Sequence, residues 1–496
     1  MKKRRRFIAL LLAAMMTVGV LASCKEPNKP AQTGEQSETE TTGKPEETGE
    51  QSETETTGKS EKPATAGLEY TLLDDTYEVS GIGTAENVSE IVIPATYNGK
   101  AVTNIGNYAF SGCSGLTSIT IGNSVTSIGD FAFSRCESLE SITIPDGVTS
   151  IGGFAFSGCS GLTSITMPGG VTVISAFAFY DCSGLTKITI PNSVTSIGGS
   201  AFSGCSGLTS VTIPDSVTGI GSVAFSYCTN LIQKENGVGY VDKWAIDCDS
   251  SVTSVILRNG TVGIGNGAFK DCSGLASITI PDSVTHIGTG EFSDCTNLIQ
   301  KENGVGYVDK WAIDCDSSVT SVILRNGTVG IGNGAFKDCS GLASITIPDS
   351  VTSIGGGAFN GCKGLTSITI PDSVTSIGDS AFWCCSGLTS ITIPNGVTSI
   401  GSHVFFGCSS LTSITIPDGV TSIGNGAFDS CGSLASVVIP DSVTSIGDSV
   451  FFGCISLECI LYQGTQAQWN AISKSDLGCS GLVVNCTDGT ITAPLI

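Results

Sequence analysis

The 496-residue chain contains only two histidines and only 14% charged residues. His286 stands where most repeats carry serine, and His403 occupies a variable position before Val404 and Phe405, so we interpret both as surface substitutions. No G-x-S-x-G elbow occurs, no cysteine–histidine pair indicates an activated nucleophile, and the cysteines lack the paired spacing of zinc sites. The sequence therefore predicts no enzyme, no cofactor and no metal site.

Basic residues are also scarce. Lysine and arginine number 23 against 45 aspartates and glutamates, and the formal net charge is −22. Because this field repels phosphate groups, nucleic acid is excluded as a partner, and the folded part is not expected to bind an anionic membrane surface. Basic partners would be attracted, less strongly as salt rises.

Long apolar runs are missing except for residues 7–20, which follow five basic residues at positions 2–6. This run is shorter than the roughly 20 residues that a membrane span needs, so it indicates an export signal. The next residues, Leu21 to Cys24, resemble the bacterial lipoprotein box, which implies lipidation of Cys24 as the first residue of the mature chain. The alternative is an ordinary cleaved signal that happens to contain a cysteine.

Residues 24–66 consist mainly of Glu, Thr, Ser, Gly, Lys, Gln and Pro. Such a composition cannot bury enough apolar surface to offset the entropy of ordering, so we expect a disordered acidic tether. TGEQSETETTGKPEE from Thr33 is followed by the near-copy TGEQSETETTGKSEK from Thr48. The tether would hold the folded part away from a membrane; the alternative is that it binds a partner itself.

The rest of the chain repeats every 23 residues. The repeat is marked by Cys113, Cys136, Cys159, Cys182, Cys205, Cys228, Cys272, Cys295, Cys339, Cys362, Cys385, Cys408, Cys431 and Cys454. Apart from two steps of 44, every step between them is 23 residues. A fixed period of about 20 to 29 residues with the apolar spacing L-x-x-I-x-I is typical of a leucine-rich repeat.

One unit, LTSITIPDSVTSIGDSAFWCCSG from Leu365, shows how a turn is built. Leu365, Ile368 and Ile370 alternate with Ser and Thr, which predicts a short strand with one buried side. Pro371 ends the strand because it offers no ladder donor. The residues predicted to return inward along the other side are Val374, Ile377, Ala381, Phe382 and Cys385.

A single turn of this size buries too little apolar surface to offset the entropy of ordering its backbone, so turns must stack. We therefore predict a leucine-rich-repeat solenoid of the α/β class, rich in strands. It would be a curved right-handed coil of about 17 turns with a parallel sheet on its concave face. The two steps of 44 arise because Thr229–Thr285 recurs identically as Thr296–Thr352, offset by 67 residues. Such copying suggests a surface that tolerates changes in length.

The segments LTSITIPDSVTSIG, AFSGCSGL and GVGYVDKWAIDCD resemble the BspA-like leucine-rich repeat family of bacterial surface proteins. LYQGTQAQWNAI from Leu461 is similar to the end segment of that family. The resemblance covers residues 68–472. It implies the solenoid fold and the role of an adhesin that binds extracellular-matrix proteins, host cells or other bacteria, and it assigns no binding residues.

The repeat cysteines are predicted to be buried thiols. Stacked neighbours would have parallel Cβ vectors about 4.8 Å apart, which is longer than the 3.5–4.5 Å of a disulfide. For Cys479 and Cys486, near the end of the chain, a disulfide and two free thiols both remain open.

The outward side chains of the strands form an array of hydroxyl groups on the concave face, and we predict that this array binds the ligand. The residues of this face that are predicted to bind the ligand are Ser118, Thr120, Ser141, Thr143, Ser164, Thr166, Lys187, Thr189, Ser210, Thr212, Ser277, Thr279, Ser344, Thr346, Ser367, Thr369, Ser390, Thr392, Ser413 and Thr415. The array is interrupted at Lys187, Ile256, Ile323 and Val438, which are candidate protein contacts. The alternatives are that the hydroxyls only solubilise a sheet with good strand propensity, or that they match ice or a repetitive glycan.

These features divide the chain into a signal peptide (1–23), a tether (24–66), a solenoid (67–464) and a C-terminal capping segment (465–496). They predict a monomeric lipoprotein on the extracellular face of the cell envelope, anchored by its lipid. It would bind an extracellular protein or glycan: a matrix or host-cell protein, or the surface of another bacterium. The alternative is a structural spacer or envelope scaffold without a specific ligand.

Overall fold

A computed structural model describes residues 63–85, 88–288, 290–292, 294–474, 476–479 and 481–492. The predicted signal peptide, Cys24 and nearly all of the predicted tether lie outside these residues. Each regular turn of the described part contributes one strand to a first sheet and a second strand, usually of two residues, to a second sheet. Strands are numbered β1 to β40 in chain order.

The first sheet contains the strands predicted from the L-x-x-I-x-I spacing. They are β3 (Glu90–Ile93), β6 (Ser118–Ile121), β8 (Ser141–Thr143), β10 (Ser164–Thr166), β12 (Lys187–Thr189), β18 (Ser254–Ile256), β20 (Ser277–Thr279), β25 (Ser321–Ile323), β27 (Ser344–Thr346), β29 (Ser367–Ile368), β31 (Ser390–Ile391), β33 (Ser413–Thr415), β35 (Ser436–Ile439), β37 (Cys459–Tyr462), β39 (Val483–Cys486) and β40 (Gly489–Thr492). Paired neighbours such as β8, β10 and β12 are parallel and in register at the repeat offset, as for Ser141, Ser164 and Lys187, so one face receives the same repeat position. The pairing is interrupted before β18 and before β25, and β40 runs antiparallel to β39.

The second sheet collects the short strands that follow each turn after proline. They are β2 (Thr76–Gly81), β5 (Lys100–Ile105), β7 (Ser127–Ile128), β9 (Ser150–Ile151), β11 (Val173–Ile174), β13 (Ser196–Ile197), β14 (Gly219–Ile220), β17 (Trp244–Cys248), β19 (Gly263–Ile264), β21 (His286–Ile287), β24 (Trp311–Cys315), β26 (Gly330–Ile331), β28 (Ser353–Ile354), β30 (Ser376–Ile377), β32 (Ser399–Ile400), β34 (Ser422–Ile423), β36 (Ser445–Ile446) and β38 (Ser473–Lys474). The sequence predicted the inward return of this segment but not its strands.

The third side of each turn is made of tight turns rather than helix. Phe133 N–H donates to Ala155 O of the next turn at 2.8 Å, so the backbone groups are paired from turn to turn. Phe131 and Phe154 adopt positive φ angles of 57°, which reverse the chain direction locally. The result is a β-solenoid of about 18 turns with almost no helix and parallel strands, in agreement with the predicted strand-rich leucine-rich-repeat coil.

The core contains the side chains that the sequence placed inward. Leu365, Ile368, Ile370, Phe382 and Cys385 are all buried. Phenylalanines of adjacent turns stack with parallel rings at centroid distances of 5.2 to 5.8 Å. Within each run of regular turns, this aromatic stack and the aliphatic rows form a buried apolar interior shared by neighbouring units, which stabilises units too small to fold alone.

Two antiparallel hairpins interrupt the coil. Hairpin module 1 comprises β15 (Gln233–Glu235), β16 (Val238–Val241) and β17, and hairpin module 2 comprises β22 (Gln300–Glu302), β23 (Val305–Val308) and β24. The buried core divides at these modules into three clusters: one before module 1, one between the modules and one after module 2. The copied segment is thus a turn with an inserted hairpin.

The two ends of the coil are closed differently. At the amino-terminal end β1 (Glu69–Leu73) pairs antiparallel with β2, and β4 (Thr96–Tyr97) pairs with β5. At the other end the helix α1 (Gln466–Ala471) begins at Thr465, whose side chain accepts from Gln468 N–H while Gln468 Oε1 accepts from Thr465 N–H. Trp469 of this helix is buried, and β39 and β40 form an antiparallel end to the first sheet.

Candidate functional site

The strand face is the outward side of the first sheet, formed by the twenty array residues named in the sequence analysis. Nineteen of them are exposed and Ser118 is half-buried. The intervening isoleucines, such as Ile142 and Ile165, are buried beneath them. The structure therefore brings the predicted array together on one face, because the period of two along a strand places every second side chain outward.

The hydroxyls of the strand face form columns along the stacking direction. Ser118, Ser141 and Ser164 are register partners, as are Thr120, Thr143 and Thr166. Neighbouring hydroxyls hydrogen-bond in places: Ser277 Oγ donates to Ser254 Oγ at 2.9 Å, and Ser344 Oγ donates to Ser321 Oγ at 3.2 Å. A hydroxyl has one donor and two acceptor positions, so the columns keep capacity for an external partner.

The predicted interruptions of the strand face are real. Ile256 and Ile323 occupy the threonine column and are 69% and 72% exposed. Lys187 is exposed in the serine column, and Val438 is half-buried. The two isoleucines are register partners of Thr279 and Thr346, so each places an apolar side chain next to a hydroxyl.

Both hairpin modules divide the strand face, and this division was not predicted from the sequence. In a regular turn the residue before proline can donate its N–H to the next strand, as Ile416 does to Val438 O at 3.0 Å. Before module 1, Ile213 N–H instead donates to Asp242 Oδ2 at 2.9 Å. Before module 2, Ile280 N–H donates to Asp309 Oδ2 at 3.0 Å. An aspartate of the hairpin tip thus replaces the missing strand. The signal was the recurring YVDKW, whose Asp breaks the apolar pattern.

Arginine and lysine fasten the hairpin tip further. The Arg258 guanidinium lies over the Tyr240 ring at 4.2 Å and also donates to Asp242 O, while Lys243 Nζ pairs with Asp215 at 3.0 Å. Module 2 repeats each contact through Arg325, Tyr307, Asp309, Lys310 and Asp282. Because both copies form the same contacts, the module is a defined structural unit.

Trp244 lies across the glycine of the next turn. A Cβ atom at Gly263 would be only 2.4 Å from Trp244 Cζ3, so only glycine fits beneath the ring. Trp311 covers Gly330 in the same way. In these two units a tryptophan thus occupies the second-sheet position at which most regular turns carry serine, and its register partner in the next turn is glycine.

The repeat cysteines are buried free thiols, as predicted, apart from Cys113, which is half-buried. Most donate to the carbonyl oxygen of a phenylalanine in the preceding turn, as Cys182 Sγ does to Phe156 O at 3.1 Å. Burial raises the pKa of Cys228 and of Cys385 to about 12, so these buried thiols are protonated at neutral pH. Cys479 and Cys486 are both free thiols and half-buried.

The prediction that His286 is a surface substitution is wrong. Its ring stacks on Trp244 at 6.1 Å, Nδ1 contacts Thr285 Oγ1 at 2.8 Å, and Nε2 has no hydrogen-bond partner within the described residues. Burial lowers its pKa to about 4, so the imidazole is neutral at pH 7. The cause is tertiary: the tryptophan of the hairpin reaches past Gly263 and covers the histidine. His403 is half-buried beside Trp383 and Phe406.

A small cavity of about 110 Å³ lies beside His286. Its wall contains Ser196, Trp311, Asn333 and Asp379, and so draws on turns before, between and after the hairpin modules. Asn333 Oδ1 accepts from Gly356 N–H and Asp379 Oδ1 accepts from Ser402 N–H, so each polar side chain already supports the next turn. At about 30 Å³ per water, the space suits a few water molecules better than a substrate.

Glu291 is a buried carboxyl at a position where most turns have alanine. It is 3% exposed, and its Oε2 has no hydrogen-bond partner within the described residues. Burial raises its pKa well above the usual value, so the carboxyl is neutral in the folded protein at moderately acidic pH. The corresponding residue after the second copy is Ala358.

Within the described ranges, no group of three or more His, Cys, Asp or Glu side chains is arranged to hold a metal ion. Nor does any helix of that part of the chain combine the length and apolar character needed to cross a membrane.

Comparison with known proteins gives the following similarities. The family model described as the BspA type leucine rich repeat region (6 copies) matches residues 103–232, 172–299, 241–341 and 329–458. A leucine rich cell surface protein from Faecalibacterium prausnitzii A2-165 is 32% identical, with 85% of this chain and 100% of that chain covered and a TM-score of 0.32.

Two further solved structures are leucine-rich repeat proteins. The one from Bacteroides ovatus is 28% identical, with 85% and 99% of the two chains covered and a TM-score of 0.31. The one from Eubacterium ventriosum is 21% identical, with 86% and 98% covered and a TM-score of 0.31. A search of curated protein sequences gives no match to this chain.

Proposed function

Because this chain belongs to the BspA-type leucine-rich repeat family, we propose that it is a cell-surface binding protein that recognises an extracellular protein or glycan through its strand face. The observation that carries the proposal is the in-register array of exposed serine and threonine hydroxyls above a buried isoleucine row. Extended solenoid faces of this kind offer a long contact surface.

The proposal includes the anchor. Residues 1–23 would be removed, Cys24 would carry the lipid, and residues 24–66 would hold the solenoid, followed by the capping segment, away from the membrane. Protein or glycan ligands on the matrix, on host cells or on other bacteria would then be within reach. The similar Faecalibacterium protein is described as a cell surface protein, which supports this location. We propose a monomer without catalytic activity.

The acidic surface favours a partner with basic character. With a net charge of −22, association should be faster with cationic surfaces and should weaken as ionic strength rises. The hydroxyl columns would add short-range hydrogen bonds, and Ile256 and Ile323 would add apolar contacts at two points of the face.

The test is binding of the full chain to immobilised extracellular proteins and glycans, with substitutions on two different faces. Thr143→Glu with Thr166→Glu places two charged, longer side chains in the strand face. Thr149→Glu with Thr172→Glu makes the same chemical change at exposed threonines near the second sheet. We expect the first variant to lose at least tenfold in affinity and the second to bind as the parent does.

Equal binding by both variants would contradict the assignment of the strand face. Absence of binding to every target by the parent chain would favour the rival function, a spacer without a ligand. Deleting residues 229–295, one copy of the duplicated unit, further distinguishes a binding protein from a spacer. A spacer would keep its function in proportion to its shortened length, whereas a binding protein would change its affinity.

A further inference from the structure

Each hairpin module brings two cysteines from different parts of the chain side by side. In module 1, Cys248 lies at the end of β17 and Cys272 lies in the following turn. Cys248 Sγ is 3.7 Å from the carbonyl oxygen of Asp249, and Cys272 Sγ is 4.0 Å from the same oxygen. The shared contact with one carbonyl oxygen places the two thiols side by side.

Module 2 repeats this arrangement. Cys315 Sγ and Cys339 Sγ lie 3.6 Å and 4.0 Å from the carbonyl oxygen of Asp316. Since both copies place the sulfurs in the same way, the juxtaposition is a property of the module.

The paired thiols differ from those of the regular turns. Cys182 Sγ and Cys205 Sγ donate to phenylalanine carbonyls at 3.1 and 3.2 Å, and both side chains are buried. Cys248 and Cys315 are only half-buried, and their contacts with a carbonyl oxygen are longer. One sulfur of each hairpin pair is therefore both less firmly held and open to a reagent in solution.

We propose that Cys248 with Cys272, and Cys315 with Cys339, form disulfide bonds that fasten each hairpin module to the following turn when the protein meets a small-molecule disulfide such as oxidised glutathione. The Cys248 thiolate attacks the glutathione disulfide and releases one glutathione. Cys272 then attacks the Cys248 sulfur of the mixed disulfide and releases the second. Two protein thiols are oxidised, one glutathione disulfide is reduced to two thiols, and the two protons pass to the released glutathiones.

The bonds would lie where the phenylalanine stack is interrupted. Within the described residues, the phenylalanine stack before module 1 ends at Phe225. The stack between the two modules consists of Phe269 and Phe292. A covalent link at Cys272 or Cys339 would tie the hairpin to the first turn after each break. Burial raises the pKa of Cys248, so exchange should accelerate as the pH is raised from 7 towards 9.

The test uses oxidised glutathione and the reduced full chain, followed by peptide mapping without reduction. The peptides around the two modules are identical in sequence, so the pairs must be assigned with variants. Cys315→Ser with Cys339→Ser retains only the first pair, and Cys248→Ser with Cys272→Ser retains only the second. We expect one internally linked pair in each variant, and free thiols at Cys182 and Cys205 throughout.

Three results would overturn the proposal: glutathione adducts at Cys248 without an internal link, no reaction at either pair, or linkage of Cys182 with Cys205 at the same rate. The single variant Cys248→Ser checks that a missing link does not reflect unfolding. In it, Cys272 should stay protected from alkylation until denaturant is added, and the second pair should still link.

Discussion

The regular turns and the hairpin modules of this solenoid are stabilised in different ways. In the turns between Ser118 and Ile213, each residue repeats the contacts of its counterpart 23 positions earlier, so every layer has two equivalent neighbours. The modules instead depend on contacts that regular turns do not form. In module 1, Asp242 accepts the N–H that a strand would otherwise accept, and Trp244 covers Gly263. A regular stack shares its stability among all layers, whereas a module depends on a few side chains.

The largest expected effect is in the phenylalanine stack. Phe156 stacks on both Phe133 and Phe179, whereas Phe292, within the described residues, stacks only on Phe269. Phe156→Ala should lower the free energy of unfolding by about 3–5 kcal/mol, and Phe292→Ala should cost less because it loses one ring contact. Denaturant unfolding followed by circular dichroism measures both free energies. An equal cost would show that a second stacked ring adds no stability at Phe156.

The second comparison concerns one repeat position in two settings. Gly263→Ser should clash with Trp244 and destabilise the protein by about 1–3 kcal/mol. Gly219→Ser makes the same change where a Cβ would contact nothing within 4 Å, so it should be neutral. Thermal unfolding with tryptophan fluorescence separates the two variants. A neutral Gly263→Ser would mean that the ring of Trp244 can move aside.

A gain in stability is expected from Glu291→Ala. Removing a buried carboxyl whose Oε2 has no hydrogen-bond partner within the described residues should raise the free energy of unfolding at pH 7 by about 1–3 kcal/mol. Because the pKa is raised on folding, the native state holds the proton more tightly and loses stability as the pH rises above about 4.5. The gain should therefore shrink at pH 4. Ala358→Glu is the matched reverse change and should be destabilising; a gain from it would contradict this explanation.

The aspartate of the hairpin tip can be compared with its exposed neighbour. Asp242→Ala leaves Ile213 N–H without its acceptor and should cost about 1–3 kcal/mol. Asp215→Ala removes only an exposed ion pair to Lys243 and should cost less than about 1 kcal/mol. Chemical denaturation of both variants and of Asp309→Ala provides the check. Asp309→Ala should match Asp242→Ala, and a difference would show that the two modules are not equivalent.

The smallest effect at neutral pH is expected for His286→Ser, which introduces the residue found after the second copy. Since the folded protein lowers the pKa of His286 to about 4, the unfolded state binds more protons between about pH 6.5 and pH 4. The stability that the neutral His286 imidazole contributes is thus fully present above about pH 6.5 and is lost as the pH falls to about 4. The variant should differ by about 1 kcal/mol or less at pH 7 and should have a flatter acid profile. The same change at His403 is the control, and identical profiles for parent and His286→Ser would contradict the prediction.

Much of the fold was predictable from period and polarity. The 23-residue spacing, the inward Leu365, Ile368 and Phe382, and the outward serines and threonines all follow from local alternation and were found as predicted. The second sheet was not predicted, because most of its strands are only two residues long and carry no alternation of their own. The division of the strand face at Asp242 was also missed, because it depends on a hydrogen bond to Ile213, 29 residues earlier.

His286 shows why local pattern was insufficient for single side chains. Its repeat position predicts exposure, but the environment is decided by Trp244, which belongs to another turn and reaches it only because Gly263 lies between them. Contacts between unlike turns cannot be read from a repeat, because the repeat describes only what turns share.

The sequence by itself determined the period of the coil, the buried row and the hydroxyl face. These follow from the alternation of apolar and polar residues along each strand, because apolar side chains are buried and polar side chains remain in water. Tertiary structure alone decided where the face is divided, which glycine a tryptophan covers, and which thiols meet. Those features arise when an inserted hairpin must find partners for its backbone and apolar groups on turns distant in the chain, and the partners exist only after the turns have stacked.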